Sequence, residues 1–200
     1  MLRIGLTGGI ACGKTVVRRR LEERGIRTLD ADAVVHEILA SDAEAIGEIV
    51  REFGDSVAAA DGTIDRKALG AVVFSDPSAR ERLNAIVHPR VYREIEEFFS
   101  RMSEAGEPLA VVDAALMIET GSFRKYDRVI VVHCRREQQR SRLMARSGLS
   151  AEDAERRIAA QMPIEEKRAY GDFLVDTSGT LEETLARTDS LADELRRLTD

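Results

Sequence analysis

The most informative stretch of the chain is a glycine-rich octapeptide near its start. Residues 8–15 read Gly-Gly-Ile-Ala-Cys-Gly-Lys-Thr and match the pattern G-x-x-x-x-G-K-[ST] of phosphate-binding loops, or P-loops. The backbone amides of such a loop face a β-phosphate, and Gly8 and Gly13 permit the turns and close approach that this needs. We expect Lys14 to reach the β- and γ-phosphates and the Thr15 hydroxyl to ligate Mg²⁺. The alternative is a glycine-rich turn with an incidental lysine.

Three aspartates lie at the ends of predicted strands, where parallel sheets bind their ligands. Asp30 and Asp32 stand at the end of the second strand, and Asp113 ends the third. Phosphoryl transfer to an alcohol needs a group that orients and deprotonates the hydroxyl, and Asp32 or Asp30 could do this. Asp113 matches a carboxylate that holds Mg²⁺ through water. Alternatively, one of the first two only caps the next helix, and Asp113 is a strand-end turn residue.

Arginines are concentrated after the fourth predicted strand. Five of them lie between residues 135 and 146, and Arg142 and Arg146 are spaced i, i+4 on one face of a predicted helix. We expect a lid that closes over phosphates here, in which some arginines stabilise charge and the others are solvated.

Short β-branched strands alternate with helical patterns, which predicts an α/β fold with a parallel sheet. The gap between the second and third strands, about residues 31–108, is too long for one crossover helix and should hold a helical subdomain. The predicted strands are Arg3–Thr7, Ile26–Asp30, Leu109–Asp113, Val129–His133 and Phe173–Asp176. The predicted helices are Lys14–Glu23, Ala33–Phe53 with a break near Ser41 and Asp42, Asp65–Val73, Ser78–Val87, Arg90–Met102 after His88 and Pro89, Glu137–Arg146, Ala151–Gln161 and Leu181–Leu198.

The composition excludes several classes of protein. Of 200 residues, 44% are hydrophobic, which is enough for a core and predicts one compact domain. The 30 basic and 36 acidic residues leave a net charge of −6, which argues against a chain that holds nucleic acid through counterion release. Two cysteines, Cys12 and Cys134, are too few for a disulfide scaffold or a zinc site. The chain shows no signal peptide or transmembrane run, so we expect a soluble, cytoplasmic protein without a membrane partner.

A P-loop alone does not separate a kinase from a GTPase or an ATP-driven motor. Asn84 is the only asparagine, so the guanine-reading motif N-K-x-D is absent. The one D-x-x-G segment, Asp176–Gly179, lies beyond the last strand, where it could not sense a γ-phosphate. Both features argue against a GTPase. Within the loop, Cys12 has two open interpretations: a reactive thiolate favoured by the helix dipole and Lys14, or an inert residue with its sulfur turned inward.

Further segments follow the loop in a fixed order. They are Asp30–Asp32 (Asp-Ala-Asp), Ala60–Arg66, Leu83–Pro89 with its His-Pro dipeptide, Glu119–Gly121 and Ala159–Pro163 with its Ala-Ala-Gln sequence. Many nucleotide enzymes share the loop, whereas the ordered combination is far more specific. Over nearly its full length the chain thereby resembles the dephospho-coenzyme A (dephospho-CoA) kinase family.

The resemblance implies a P-loop NTPase-like core with a parallel five-stranded sheet and flanking helices, a helical acceptor-side (CoA) subdomain and a lid. The core would comprise about residues 1–32, 107–134 and 170–200, the subdomain about 33–106, and the lid about 135–169. The implied reaction, the last step of coenzyme A synthesis, transfers a phosphoryl group from ATP, with Mg²⁺, to the ribose 3′-hydroxyl of dephospho-CoA.

The resemblance also assigns roles to individual residues. Asp32 corresponds to the proposed catalytic base. Arg142 corresponds to a lid arginine near the transferring phosphoryl group, and Lys14 is the third expected catalytic residue. Magnesium would be held by Thr15 and Asp113. The expected ATP contacts are Gly8, Gly9, Ile10, Ala11, Cys12, Gly13, Lys14, Thr15 and Val16. The expected acceptor contacts are Thr7, Asp32, Arg66, His88 and Pro89.

The chain departs from the family pattern at several positions. Ala11 and Val16 replace a glycine and a threonine of the usual loop, and Thr177 replaces an asparagine of a segment near the adenine. The segment Ala115–Glu119 lacks the usual proline. Two competing functions are a nucleoside or nucleotide kinase of similar fold, and a nucleotide-binding regulatory or assembly protein without transfer activity.

Overall fold

A central parallel sheet organises the protein. The computed structural model describes residues 1–199, and its five strands lie side by side in the order β2-β3-β1-β4-β5. β1 is central, with Gly5 paired to Val112 on one side and to Val129 on the other, both in parallel register. The α/β fold with a P-loop NTPase-like parallel sheet is therefore confirmed. The strands are β1 (Leu2–Gly8), β2 (Arg27–Asp30), β3 (Leu109–Asp113), β4 (Arg128–His133) and β5 (Phe173–Asp176).

Within residues 1–199 the strands are connected and followed by nine α-helices. The predicted break near Asp42 is confirmed. Asp42 is the C-cap of one helix, and its carboxylate caps the next by accepting from the amides of Glu44 and Ala45. The helices are α1 (Lys14–Glu23), α2 (Ala31–Ser41), α3 (Ala43–Phe53), α4 (Arg66–Ser75), α5 (Pro77–Glu104), α6 (Arg136–Ser147), α7 (Ala151–Ala159), α8 (Ile164–Arg168) and α9 (Leu181–Arg197).

Helix α5 differs from the prediction, because it runs unbroken through Pro89 and joins the two stretches that were expected on either side of His88 and Pro89. A proline inside a helix removes one backbone hydrogen bond and is disfavoured. Val87 and Val91, on either side of the proline, are both buried, and this packing holds the helix together. The short helix α8 was not predicted, because five residues are too few to show a helical period.

The chain divides into two compact units. The first comprises Met1–Leu29 and the chain from Phe99 onward, and it contains most of the sheet and the segment predicted as a lid. The second comprises Asp30–Phe98, with helices α2, α3, α4 and most of α5. The predicted subdomain of about 33–106 overlaps the second unit but extends further, since α5 crosses the division.

Apolar burial fixes the first unit around the sheet. One cluster joins β1, α1 and α9 through Ile4, Leu6, Leu21, Leu191 and Leu195, all nearly or fully inaccessible to solvent. In the part of the chain described, no helix combines the length and apolarity needed to cross a bilayer.

Candidate active site

The P-loop leaves the carboxyl end of the central strand and leads directly into α1. Gly13 is the N-cap of α1 in the left-handed region, with φ 81°, which favours glycine. No side chain caps α1 and no acidic residue lies in its first turn, so its free amides and positive dipole end can receive an anion. At Gly8, a Cβ atom would stand 2.4 Å from the Val132 carbonyl oxygen, so a side chain would push β4 away. The loop thus has the backbone geometry of a phosphate site.

A buried carboxylate faces the loop lysine. Asp113 at the end of β3 is 1% exposed, and its Oδ1 forms an ion pair with Lys14 Nζ. Arg18 Nε lies 3.3 Å from Asp113 Oδ2, so two cations compensate one buried charge. The structure therefore brings Lys14 and Asp113 together, and their roles toward phosphate and Mg²⁺ stay predictions.

The hydroxyl of Thr15 and the carboxylate of Asp113 are hard oxygen donors, which suit Mg²⁺. Thr15 is exposed in the first turn of α1, beside Lys14. Among residues 1–199, no group of three or more His, Cys, Asp or Glu side chains could hold a metal ion. Magnesium usually keeps several waters and takes oxygens from substrate phosphates, so these two donors fit an ion that arrives with a nucleotide.

The two aspartates of the Asp-Ala-Asp segment have different environments. The carboxylate of Asp30 is the N-cap of α2 and accepts from the Ala33 amide at 3.1 Å. Asp32 lies in the first turn of the same helix with its side chain exposed. The capping interpretation therefore holds for Asp30, and Asp32 has the accessible carboxylate that a base requires.

Thr177 binds the backbone of the P-loop, and Arg142 binds Thr177. This support of the loop was not predicted from the sequence. Thr177 is buried and its hydroxyl donates to the Cys12 carbonyl at 2.8 Å. Arg142 on α6 donates to the Thr177 carbonyl at 2.8 Å and to its hydroxyl at 3.2 Å. Thr177 thus joins the loop after β5 to the phosphate-binding loop. The predicted contact of Arg142 with a phosphoryl group stays a prediction.

The other arginines of this segment form contacts away from the loop. Arg136 pairs with Glu155 on α7 at 2.6 Å, and Arg140 lies 3.9 Å from the same carboxylate. Arg135 donates to the Ser178 carbonyl at 3.4 Å, and Arg146 is exposed in the last turn of α6. Of the five, Arg142 is the one that binds Thr177, which in turn contacts the P-loop.

The predicted acceptor contacts lie on separate elements. Thr7 is fully buried in β1, and its hydroxyl donates to the Ala115 carbonyl at 3.2 Å. Thr7 could therefore affect a bound acceptor only through the backbone at Ala115.

Three of the other predicted acceptor contacts belong to the second unit. Arg66 at the start of α4 lies 2.6 Å from His36 Nε2. His88 packs edge-on against Tyr92, with ring centroids 5.9 Å apart, and burial lowers its pKa. Pro89 is exposed on α5.

Cys12 is buried, which contradicts its interpretation as a reactive thiolate. Its side chain is 0% exposed, and its sulfur lies 3.4 Å from the sulfur of Cys134, the residue directly after β4. The hydrogen bond with Cys134 and burial raise the pKa of the Cys12 thiol well above its usual value. Packing of the loop against β4 outweighs the helix dipole and Lys14, because the sulfur points inward.

We therefore expect Cys12 to resist alkylation in the native protein. Iodoacetamide needs a thiolate and access, and this side chain offers neither. Peptide mass spectrometry should find Cys12 labelled much more slowly in native protein than in urea, with or without nucleotide. Rapid native labelling at Cys12 would contradict the structure.

A buried lysine near the loop was not singled out from the sequence. Lys167 on α8 is 0% exposed, and its ammonium group has three acceptors, one for each proton. They are the Glu119 carboxylate at 2.8 Å, the Ala115 carbonyl at 3.1 Å and the Gly8 carbonyl at 3.5 Å. This side chain ties α8 to the ends of β1 and β3. Only its charge and its rarity among the cations could have marked it in the sequence.

Replacing Lys167 with methionine should destabilise the protein by about 2–3 kcal/mol, because Glu119 and two carbonyls lose their partner. The cost stays below that of a fully buried pair, since Glu119 is 23% exposed. Chemical denaturation measures the difference. Lys125→Met, at an exposed lysine, is the matched control and should change stability little. A Lys167→Met protein as stable as the wild type would show that the buried ion pair contributes nothing.

A parallel sheet, a P-loop at the end of its central strand, an uncapped helix and a buried aspartate beside the loop lysine together define a P-loop NTPase-like protein. Comparison with known proteins defines the family. The sequence model of dephospho-CoA kinase matches residues 2–183. The chain therefore belongs to the dephospho-CoA kinase family, and it is a kinase.

Individual relatives agree with this assignment. The chain is 47% identical over 188 residues to the dephospho-CoA kinase of Geobacter sulfurreducens, covering 94% of this chain and 95% of that protein. A crystal structure from Thermus thermophilus has 37% identity and a TM-score of 0.85, covering 100% of this chain and 98% of that one. The dephospho-CoA kinase from Campylobacter jejuni has 27% identity and a TM-score of 0.74, covering 96% of each chain.

Proposed function

We propose that this protein phosphorylates the ribose 3′-hydroxyl of dephospho-CoA with ATP and releases coenzyme A and ADP. Family membership over nearly the whole chain is the observation that carries this proposal. The P-loop supports it, because its geometry suits the phosphates of ATP. Two unlinked thiols, Cys12 and Cys134, agree with a location in the reducing cytoplasm.

In the proposed reaction the ATP phosphates lie along residues 8–16, with the backbone amides and the start of α1 around the β-phosphate. Lys14 exchanges its ion pair with Asp113 for the β- and γ-phosphates and stabilises the charge that develops between them. Arg142, which lies behind the loop on Thr177, contributes a second cation from the lid segment.

The acceptor hydroxyl is activated by Asp32. Its exposed carboxylate takes the proton of the 3′-hydroxyl while the oxygen forms a bond to the γ-phosphorus. The bond between the γ-phosphorus and the bridging oxygen breaks, and ADP departs with the electron pair. We assign acceptor recognition to Arg66, His88 and Pro89, with Thr7 acting through the backbone at Ala115.

Magnesium is proposed as the ion that accompanies ATP. When bound, it would neutralise negative charge on the phosphates during transfer. Thr15 would hold it directly, and Asp113 would hold it through water. Release of Asp113 from Lys14 on nucleotide binding would make the carboxylate available.

The test is a coupled assay of ADP release from the purified full chain with Mg²⁺ and ATP, in the presence and absence of dephospho-CoA. ADP release that requires dephospho-CoA, with formation of coenzyme A seen by mass spectrometry, would support the proposal. A panel of nucleosides and nucleoside monophosphates provides the matched controls. Turnover with one of these instead, or ATP binding without any transfer, would contradict the proposal.

A further inference from the structure

The Ala-Ala-Gln segment at the C-terminal end of α7 has no role in the proposed reaction, yet its glutamine contacts the P-loop. Gln161 Oε1 accepts from the Ile10 amide at 2.9 Å. From the other side, Gln139 Nε2 on α6 donates to the Ile10 carbonyl at 3.1 Å. Two side-chain amides therefore hold both polar backbone groups of one loop residue. We call Gln139 and Gln161 the amide clamp.

The clamped part of the loop also rests on an apolar base. Leu143 of α6 and Ala154 and Ile158 of α7 form a buried cluster, and Ile10 and Ala11 pack against it. Gln139 is itself 3% exposed, so its bond to Ile10 is shielded from water. The loop is thus attached to α6 and α7 by both hydrogen bonds and packing.

The clamp lies next to the one unusual backbone conformation of the loop. Ala11 has φ 58°, and it is the only residue other than glycine with a positive φ within residues 1–199. An L-residue with a Cβ atom adopts this region at an energetic cost that glycine does not have. An unsupported loop would relax toward negative φ at Ala11, and the amides that surround the phosphate would turn away.

From these observations we infer that Gln139 and Gln161 are positioning residues, which hold the P-loop in its phosphate-binding shape against the strain at Ala11. The inference rests on the proposed use of this loop for ATP. It makes nucleotide affinity depend on the packing of α6 and α7, because Gln139 lies on α6 and Gln161 directly follows the end of α7. Neither residue needs to touch the nucleotide.

The test replaces each clamp residue with methionine, which has a similar length and forms no comparable hydrogen bond. Gln161→Met and Gln139→Met each remove one hydrogen bond to Ile10. If one variant does not fold, the other is enough to test the inference. We expect the Kd for Mg-ATP, measured by calorimetry, and the KM for ATP to rise about tenfold. The KM for dephospho-CoA should stay within about twofold of the wild-type value, because the acceptor contacts are untouched.

Two comparisons separate positioning from a general loss of stability. Ser150→Ala removes the N-cap of α7 at the end opposite Gln161, and it should lower thermal stability while ATP affinity stays unchanged. Ala11→Gly removes the strain, so the loss of ATP affinity caused by Gln161→Met should shrink to about threefold or less in that background.

The inference is overturned if both folded clamp variants bind Mg-ATP within about twofold of the wild type. It is also overturned if the KM values for both substrates rise together, or if Ala11→Gly leaves the Gln161→Met effect unchanged. Wild-type protein that binds ATP without phosphorylating dephospho-CoA would refute the proposed function alone, since the calorimetric comparison would still decide the inference.

Discussion

Replacing Lys14 with alanine is expected to lower the rate of phosphoryl transfer by about 10²–10³-fold, the usual cost of removing one donor that stabilises transition-state charge. Lys14 is the one lysine of the P-loop, and it already faces the carboxyl end of β3 through its ion pair with Asp113. The fold should survive, because Asp113 keeps Arg18 at 3.3 Å as a second compensating cation. Single-turnover transfer measures the loss, and circular dichroism verifies the fold.

The matched control is Lys125→Ala, which removes an exposed lysine outside the loop and should leave transfer unchanged. A folded Lys14→Ala protein with near-normal turnover would contradict the prediction that this loop binds the phosphates of ATP. A variant that unfolds would instead show that the ion pair with Asp113 is needed for stability, and Lys14→Met, which retains the aliphatic stem, would then be compared.

Replacing Asp32 with asparagine should lower kcat by about 10²–10⁴-fold, the range typical of general-base catalysis. Asparagine keeps the shape of the side chain but cannot take the proton of the acceptor hydroxyl. Asp32 is exposed and belongs to the second unit, whereas the P-loop belongs to the first, so the KM for ATP should change only modestly. Single-turnover transfer and steady-state kinetics with both substrates provide these values.

Asp30→Asn is a well-matched control for this experiment. Asp30 accepts from the Ala33 amide as the N-cap of α2, and asparagine caps a helix about as well as aspartate. This variant should therefore fold normally and lose much less activity than Asp32→Asn. An equal loss in both variants would show that the segment matters for its structure rather than for one carboxylate.

Magnesium binding by Asp32 is the rival explanation of a slow Asp32→Asn variant. A lost metal ligand weakens the affinity for the ion, so raised Mg²⁺ would partly restore transfer. A lost base would leave the rate low at every magnesium concentration. Should Asp32→Asn turn over within about threefold of the wild type, the assignment of the base would be wrong.

Cys12 and Thr177 show how contacts at the carboxyl ends of the strands change the interpretation of single residues. By sequence, Cys12 next to a helix start and Lys14 favours a thiolate, whereas the structure encloses its sulfur beside Cys134. The resemblance marks Thr177 only as a departure from the family pattern, whereas in the structure its hydroxyl donates to the Cys12 carbonyl. Both partners lie more than 100 positions away, and only folding brings them to the loop.

The sequence by itself determined the strand order along the chain, the P-loop and its lysine, and the family. These features follow from local rules. Runs of β-branched residues form strands, glycine permits the turn, and a glycine-rich loop that leads into a helix N-terminus binds phosphate. The break at Asp42 also followed from local sequence, because capping involves neighbouring residues. Helix α5 is the exception, since buried valines around Pro89 outweigh the local preference for a break.

Only the tertiary structure decided which side chains support the loop. The amide clamp on Ile10, Thr177 behind Cys12, and Lys167 beneath Gly8 come from segments far along the chain. Burial and hydrogen-bond partners depend on distant residues meeting in space, and no local pattern encodes that meeting. For the same reason, a carboxylate that caps a helix and one that is accessible look alike in the sequence, and the fold separates Asp30 from Asp32.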